Sequence, residues 1–166
     1  IKGQKMFFDL DVVIQNSLIP IIKLHKDKPI IGRSWWHNMD DEKKPFWKKN
    51  YGARCNGGMM IWNDEQGKPL WKDLKKNAEK IYFIYTGGSD NWITGKHYEH
   101  FNHVPPKYYY SFNRGCEWPD DIAMHRHRSD KIVCVFNTDE YGRNKHFQQE
   151  LHQAARNFKW VQKYWQ

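Results

Sequence analysis

Lys5–Ile14 reads KMFFDLDVVI. Met6, Phe7 and Phe8 form a short apolar run that ends at two carboxylates, Asp9 and Asp11, spaced i, i+2. An apolar run of this length bounded by charge predicts a buried strand. A strand that delivers carboxylates at its C-terminal end is the usual α/β arrangement for a ligand site. In an extended chain both side chains point to one side, and where the chain turns both reach one cation. Hard divalent ions such as magnesium or manganese take oxygen ligands and then hold substrate phosphates. Taken alone, an Asp pair at a strand end is more often a solvated surface feature, so the rest of the chain has to decide.

Downstream, Asn16–His25 (NSLIPIIKLH) predicts a short helix or turn, with Pro20 limiting its length. Pro29–Trp36 predicts a second strand, and 37–49 a polar, charged loop. Cys55–Asn63 (CNGGMMIWN) reads as a turn at the Gly pair leading into a strand. Lys68–Lys80 predicts a helix with Pro69 near its start. Ile81–Tyr85 predicts a strand, and Thr86–Asp90 (TGGSD) its loop. Lys107–Phe112 and Lys131–Phe136 are two further strand candidates, and 145–165 is helical in pattern. Strands alternating with helical stretches argue for an α/β fold. Trp35 and Trp36 are adjacent on a strand, so they must face opposite sides.

The chain has 166 residues, the size of one domain. Nine Trp, nine Tyr and nine Phe supply large buried areas and argue against disorder. Apolar runs fall short of the roughly 20 residues of a membrane helix. Cys55, Cys116 and Cys134 are too few and too scattered for a disulfide scaffold or a zinc ribbon, which makes a reducing cytoplasm the expected location. The net charge of +8 suits a polyanionic partner: nucleic acid, a nucleotide diphosphate or an anionic surface. His125 and His127 alternate, but no third ligand spacing supports zinc there.

Two enzyme classes place DLD after an apolar strand. FFDLDVVI resembles the first motif of haloacid-dehalogenase-like phosphatases, which implies Asp9 as nucleophile and Asp11 as acid/base. A strand IYFIY ending in Thr86 would resemble that group's second motif. Val12-Val13 departs from the usual Gly-Thr, and Lys107 or Lys131 with Asp120-Asp121 would have to fill the remaining roles.

The second resemblance runs along nearly all of the chain, to GT-A glycosyltransferases of the retaining, family-8-like kind. FFDLDVVIQNSLIPII resembles their DxD segment, and CNGGMMIWN the Asn-small-Gly-hydrophobic segment that lines the sugar-donor pocket. TGGSDNWI resembles the loop whose Asp contacts the donor sugar, and IVCVFNTDEYGRNKH the late strand leading to a metal-ligand His and a diphosphate-binding Lys. KYYYSFNRGCEWPDD and the ending KWVQKYW are similar to small phage and bacterial members. Asn137 and Thr138 stand where the family has His-Gly, Asn91 follows Asp90 in place of Gln, and Lys145 and His146 fall a few residues late for the Lys-Pro pair.

The resemblance implies a partial GT-A fold, a mixed sheet with flanking helices, in which residues 1–166 are the C-terminal portion of the catalytic domain. It implies manganese or magnesium held by Asp9 and Asp11 with Asn137 as third ligand, and a donor pocket from Asn56, Gly57, Gly58 and Asp90. Lys145 or His146 would stabilise the leaving diphosphate, with Asp90 and Lys145 the catalytic candidates. The partners implied are a nucleotide-sugar donor and an unknown acceptor. A strand edge left open by the family's absent N-terminal half-sheet would favour a homodimer. A third reading, an inactive glycan- or nucleic-acid-binding module, would use the basic, aromatic surface.

Overall fold

The computed structural model describes residues 3–36, 54–85, 88–117, 126–136 and 158–164. The opening apolar run forms β1, Lys5–Phe8, but the two aspartates do not share its end. The chain turns at Leu10, which is 91% exposed, and continues as β2, Val12–Ile14. Asp9–Asp11 is therefore a crossover between two strands. It is also a crossover between two sheets.

The first sheet runs β1-β4-β3-β5, with β3 Ile30–Arg33, β4 Cys55–Trp62 and β5 Asn102–His103. β1 and β3 lie antiparallel to β4, and β5 lies parallel to β3. The second sheet runs β2-β7-β6, with β6 Tyr109–Ser111 and β7 Val133–Val135; β2 is antiparallel and β6 parallel to β7. The expected single mixed sheet is thus two small mixed sheets. β1 is also an edge strand with Met6 and Phe7 exposed, and the burial expected of it falls instead to Val12 and Val13 of β2.

The two sheets share one core. Ile30, Met59 and Ile61 from the first sheet meet Val12, Tyr109, Val133 and Val135 from the second, with Ile21 of α1, Ile19–Ile22, beside them. Strand alternation, and for Cys55 the register shift in β4, sends other strand residues outward into two further clusters. Val13, Tyr110 and Cys134 pack with Phe112, Phe136 and α4, Lys159–Gln162. Ile31 and Cys55 pack with Trp92, Ile93 and Phe101 under Leu70, Leu74, Ile81 and Tyr85. Full burial of one such aliphatic side chain stabilises by about 1.5–3 kcal/mol, so these interleaved rows hold the two sheets in register.

The long helix α2 covers Asp64–Ile84 and departs from expectation at both ends. It begins earlier because Asn63 and Gln66 form a reciprocal capping box, with Asp64 and Glu65 complementing the N-terminal dipole. Pro69 therefore lies inside the helix. At the other end, Ile81–Ile84 is helix where a strand was expected, since Leu70, Leu74, Ile81 and Tyr85 fall on one face at helical spacing. The helix kinks at Asn77 (φ −128°, ψ 21°), whose side-chain amide donates back to Asp73 at 2.8 Å. The second phosphatase-like motif needed a strand at Ile81–Tyr85 and loses that support. α3, Ser89–Trp92, follows, then a π turn over Ile93–His97 and a 3-10 turn over Tyr98–His100. Of the C-terminal helix expected over 145–165, Lys159–Gln162 is helical, and 145–157 and residue 165 lie outside the described residues.

Candidate functional site

The crossover at Asp9–Asp11 is tied to both sheets through its backbone. Asp9 N–H donates to Gly58 O of β4 at 2.9 Å, one step beyond the Phe8–Met59 pairing. Phe136 N–H donates to Asp11 O at 2.9 Å, one step beyond the Val12–Val135 pairing. Asp9 Oδ1 also accepts from Leu10 N–H at 2.8 Å, which holds the turn. Both carboxylates thus stand where the two sheets part.

Asn56, Gly57 and Gly58 lie within β4, not in the turn read from their sequence. The strand continues through them, but its pairing with β3 jumps from Ile31–Met60 to Gly32–Asn56, so the glycines sit at an irregularity of the ladder where other groups also approach closely. A Cβ on Gly57 would lie 2.6 Å from Asp90 Oδ1, and a Cβ on Gly58 would lie 2.8 Å from Asn56 Oδ1. Gly57 N–H donates to Asp90 Oδ1 at 3.0 Å, so the first turn of α3 is pinned to the middle of β4. Gly58 N–H donates to Asn56 Oδ1 at 3.1 Å, and the Tyr109 hydroxyl donates to the same oxygen.

The electrostatics report the same convergence. Burial pushes the Asp11 carboxyl up to about 6; the charges of Asp9 and Asp90 push the same way, and a backbone N–H bond opposes them. The Tyr109 hydroxyl is fully buried and held well above its ordinary range, first by burial, then by the charges of Asp90 and Asp11, with Asp9 contributing. It therefore remains a protonated donor. Burial likewise holds the Cys55 thiol up at about 12, so it is an inert core group. All three cysteines are free and buried.

Of the residues singled out in the sequence, Asp9, Asp11, Asn56, Gly57, Gly58 and Asp90 are brought to this one region from three separate segments. Asn137, Lys145 and His146 lie outside the described residues, as do Asp120, Asp121 and His125. Asn137 follows Phe136, the residue bonded to Asp11, directly in the sequence. Among the described residues there is no group of three or more His, Cys, Asp or Glu placed to hold a metal ion.

Sequence reasoning missed three contributors. Tyr109 orients Asn56, Thr94 accepts from Cys55 N–H at 3.1 Å, and Gly32 lets β3 pass β4 and the Tyr109 ring. The triple tyrosine Tyr108–Tyr110 says that neighbours alternate in facing, but not which hydroxyl reaches the site.

No known family profile matches the chain, and no curated protein matches it. Among solved structures, the galactosyltransferase LgtC, determined in complex with donor and acceptor sugar analogues, is similar at 14% sequence identity and a TM-score of 0.48. The likeness covers 91% of this chain and 61% of LgtC, so the chain spans less than two thirds of that enzyme's length.

Proposed function

We infer that the chain is the metal-binding portion of a glycosyltransferase that moves a sugar from a nucleotide-diphosphate donor to an acceptor. The observation that carries this reading is the pair of bonds joining three distant segments: Gly57 N–H to Asp90 Oδ1 and Asp9 N–H to Gly58 O. The three segments are those that resemble the DxD, donor-pocket and sugar-contacting motifs of GT-A enzymes.

The donor set fits a hard divalent cation. Asp9 and Asp11 offer carboxylate oxygens at the crossover, the charges of Asp9 and Asp90 bear on Asp11, and the causes of its shift include no basic group. Magnesium or manganese commonly takes one or two protein carboxylates and completes its shell with substrate phosphates and water. Asp9 and Asp11 would hold the ion, with Asn137 offering a carbonyl oxygen. When bound, it neutralises charge on the diphosphate leaving group.

The chain's own residues do the rest. Asp90, oriented by Gly57 N–H, takes a hydroxyl of the donor sugar. Gly57 and Gly58 keep β4 free of side chains where the sugar approaches, and the buried Tyr109 hydroxyl fixes Asn56 toward the same place. Lys145 or His146 adds positive charge at the departing diphosphate, an electrostatic role that needs only a point charge.

Calorimetric titration of manganese, with and without UDP, into wild type and Asp11→Ala tests this reading. UDP is expected to bind only with the metal and to lose that binding in the variant. UDP binding that is indifferent to metal, or unchanged in Asp11→Ala, refutes it.

A further inference from the structure

The outer face of α2 combines positive charge with exposed aromatic surface. On the inner face, Leu70, Leu74, Ile81 and Tyr85 pack against Trp92, Ile93 and Phe101. Other large apolar side chains of the helix point to water. Trp71 is 59% exposed, Tyr82 86%, Phe83 84% and Ile84 47%. A single exposed apolar side chain is ordinary, but a run of three with a tryptophan on the same helix marks a surface built for contact. The helix cannot roll to bury them, because its opposite face is already filled.

Lysines lie between these side chains. Over residues 71–84, Lys72, Lys75, Lys76 and Lys80 are all exposed. Two acids share the stretch. Asp73 is turned inward, its side chain 12% exposed and ion-paired with Lys96. Glu79 is exposed. Spacings of three and four place Trp71, Lys75, Glu79 and Tyr82 along one row, and Lys72, Lys76, Lys80 and Phe83 along the next. The kink at Asn77 tilts the two halves without hiding either, since residues on both sides of it are exposed. Lys75 Nζ stands 5.8 Å from the centroid of the Trp71 ring, so ring and ammonium project together.

The charge balance selects the partner. Four exposed lysines against one exposed glutamate favour an anionic surface over a second copy of this helix, which would set lysine against lysine. The aliphatic Ile84 beside Phe83 needs an apolar medium, which a phosphate backbone with its stacked bases does not provide. An anionic lipid surface offers both parts. Its headgroup phosphates attract lysine ammonium groups, whose stems extend along apolar surface. Its acyl boundary receives aromatic and aliphatic side chains, with Trp and Tyr suited to the polar edge. With five lysines and four acids in 21 residues, α2 would lie on such a surface instead of crossing it. Among the described residues no helix is long and apolar enough to cross a membrane.

We propose that the outer face of α2, from Trp71 to Ile84, docks the protein on an anionic lipid surface. Trp71, Tyr82, Phe83 and Ile84 enter the headgroup region, and the four lysines pair with lipid phosphates. This inference does not rest on the glycosyl-transfer reading.

The test is co-flotation of the full chain with vesicles of phosphatidylcholine alone, and with vesicles of phosphatidylcholine and phosphatidylglycerol in equal parts. Wild type is expected to float with the mixed vesicles, not with phosphatidylcholine alone, and to be released as salt rises. Lys72→Gln with Lys76→Gln should weaken binding about tenfold or more. Tyr82→Ser with Phe83→Ser should weaken it by a similar factor. All four positions are exposed, so unfolding midpoints should stay near wild type. Brominated acyl chains supply a second readout, should either double variant fail to fold. They should quench the tryptophan fluorescence of wild type more than that of Trp71→Phe. No flotation with the mixed vesicles, equal binding to both vesicle types, binding unchanged in both double variants, or equal quenching in wild type and Trp71→Phe overturns the proposal. Binding of a single-stranded oligonucleotide that depends on Lys72 and Lys76, with no vesicle binding, assigns the face to nucleic acid and overturns it too.

Discussion

Asp11 and Asp73 are carboxylates at the margins of two different cores, and their surroundings push them in opposite directions. Asp11 is buried beside two other acids, and its carboxyl rises to about 6. Asp73, on α2, is held well below the usual carboxylate range, first by Lys96 and then by His97, Asn77 and Trp92. Trp92 Nε1 lies 3.2 Å from it and His97 Nε2 2.9 Å, while Lys96 ion-pairs with it. A carboxylate met by four donors is part of a scaffold. One that burial and the charges of two neighbouring acids push upward is the arrangement on which the proposed metal site rests. The network at Asp73 also positions the site, because Trp92 and Asp90 share the four-residue helix α3.

The largest expected effect breaks the satisfied half of this pair. Asp73→Ala strips Lys96, His97, Asn77 and Trp92 of their common acceptor and should cost about 2–3 kcal/mol in urea unfolding. A loss under about 0.5 kcal/mol would show that the network is not structural. Gly32→Ala comes next. Its Cβ would lie 2.7 Å from the backbone oxygen of Asn56 and 2.8 Å from the Tyr109 ring, so a strand or the ring must move. Overpacking of this kind should cost about 1–3 kcal/mol, and the Tyr109 hydroxyl should lose its grip on Asn56. An unchanged unfolding midpoint would place slack where the structure shows contact.

How far the sequence announced these two regions differs for a physical reason. β1, β3, β4, β6 and β7 and the short α1 follow from apolar runs and Pro20, because burial and local sterics act over a few residues. The grouping of Asp9, Asp11, Asn56–Gly58 and Asp90 could be anticipated only through a resemblance, since nothing local relates residue 9 to residue 90. The Gly57-Gly58 pair lies in a strand irregularity and not in a turn, because glycine serves both bending and close approach, and the second depends on an Asp90 that arrives from elsewhere. Ile81–Tyr85, expected as a strand, ends the long helix instead. Its contacts with the first sheet, shared with Leu70 and Leu74, made it helix. The Asp73 network left no sequence signature, as its donors come from a helix and from a π turn about 20 residues on.

Asp11→Asn reverses the sign of the first prediction. Removing a charge that burial and Asp9 both oppose should raise metal-free stability by about 1–2 kcal/mol, while metal-dependent UDP binding disappears. Destabilisation by this variant would mean that Asp11 is held by partners that offset its neighbours, and the contrast with Asp73 would collapse.

The smallest effect is also the sharpest, because it depends only on sign. Asp73 has a folded pKa below the value of about 3.9 for an unfolded chain. Its contribution is therefore complete above that pH and is lost as the pH falls through the acid range. Asp11 has a folded pKa of about 6, above its unfolded value. Its contribution is present below about pH 4 and is lost as the pH rises from there to 6. Between pH 4 and 6 the Asp11→Asn variant should therefore gain on wild type with rising pH. Asp73→Asn should instead lose its deficit only below about pH 4. Thermal midpoints of the three proteins across pH 3–7, without metal, read both slopes at once. Parallel curves over pH 4–6 would show that Asp11 is solvated, and the contrast between Asp11 and Asp73 would lose its basis.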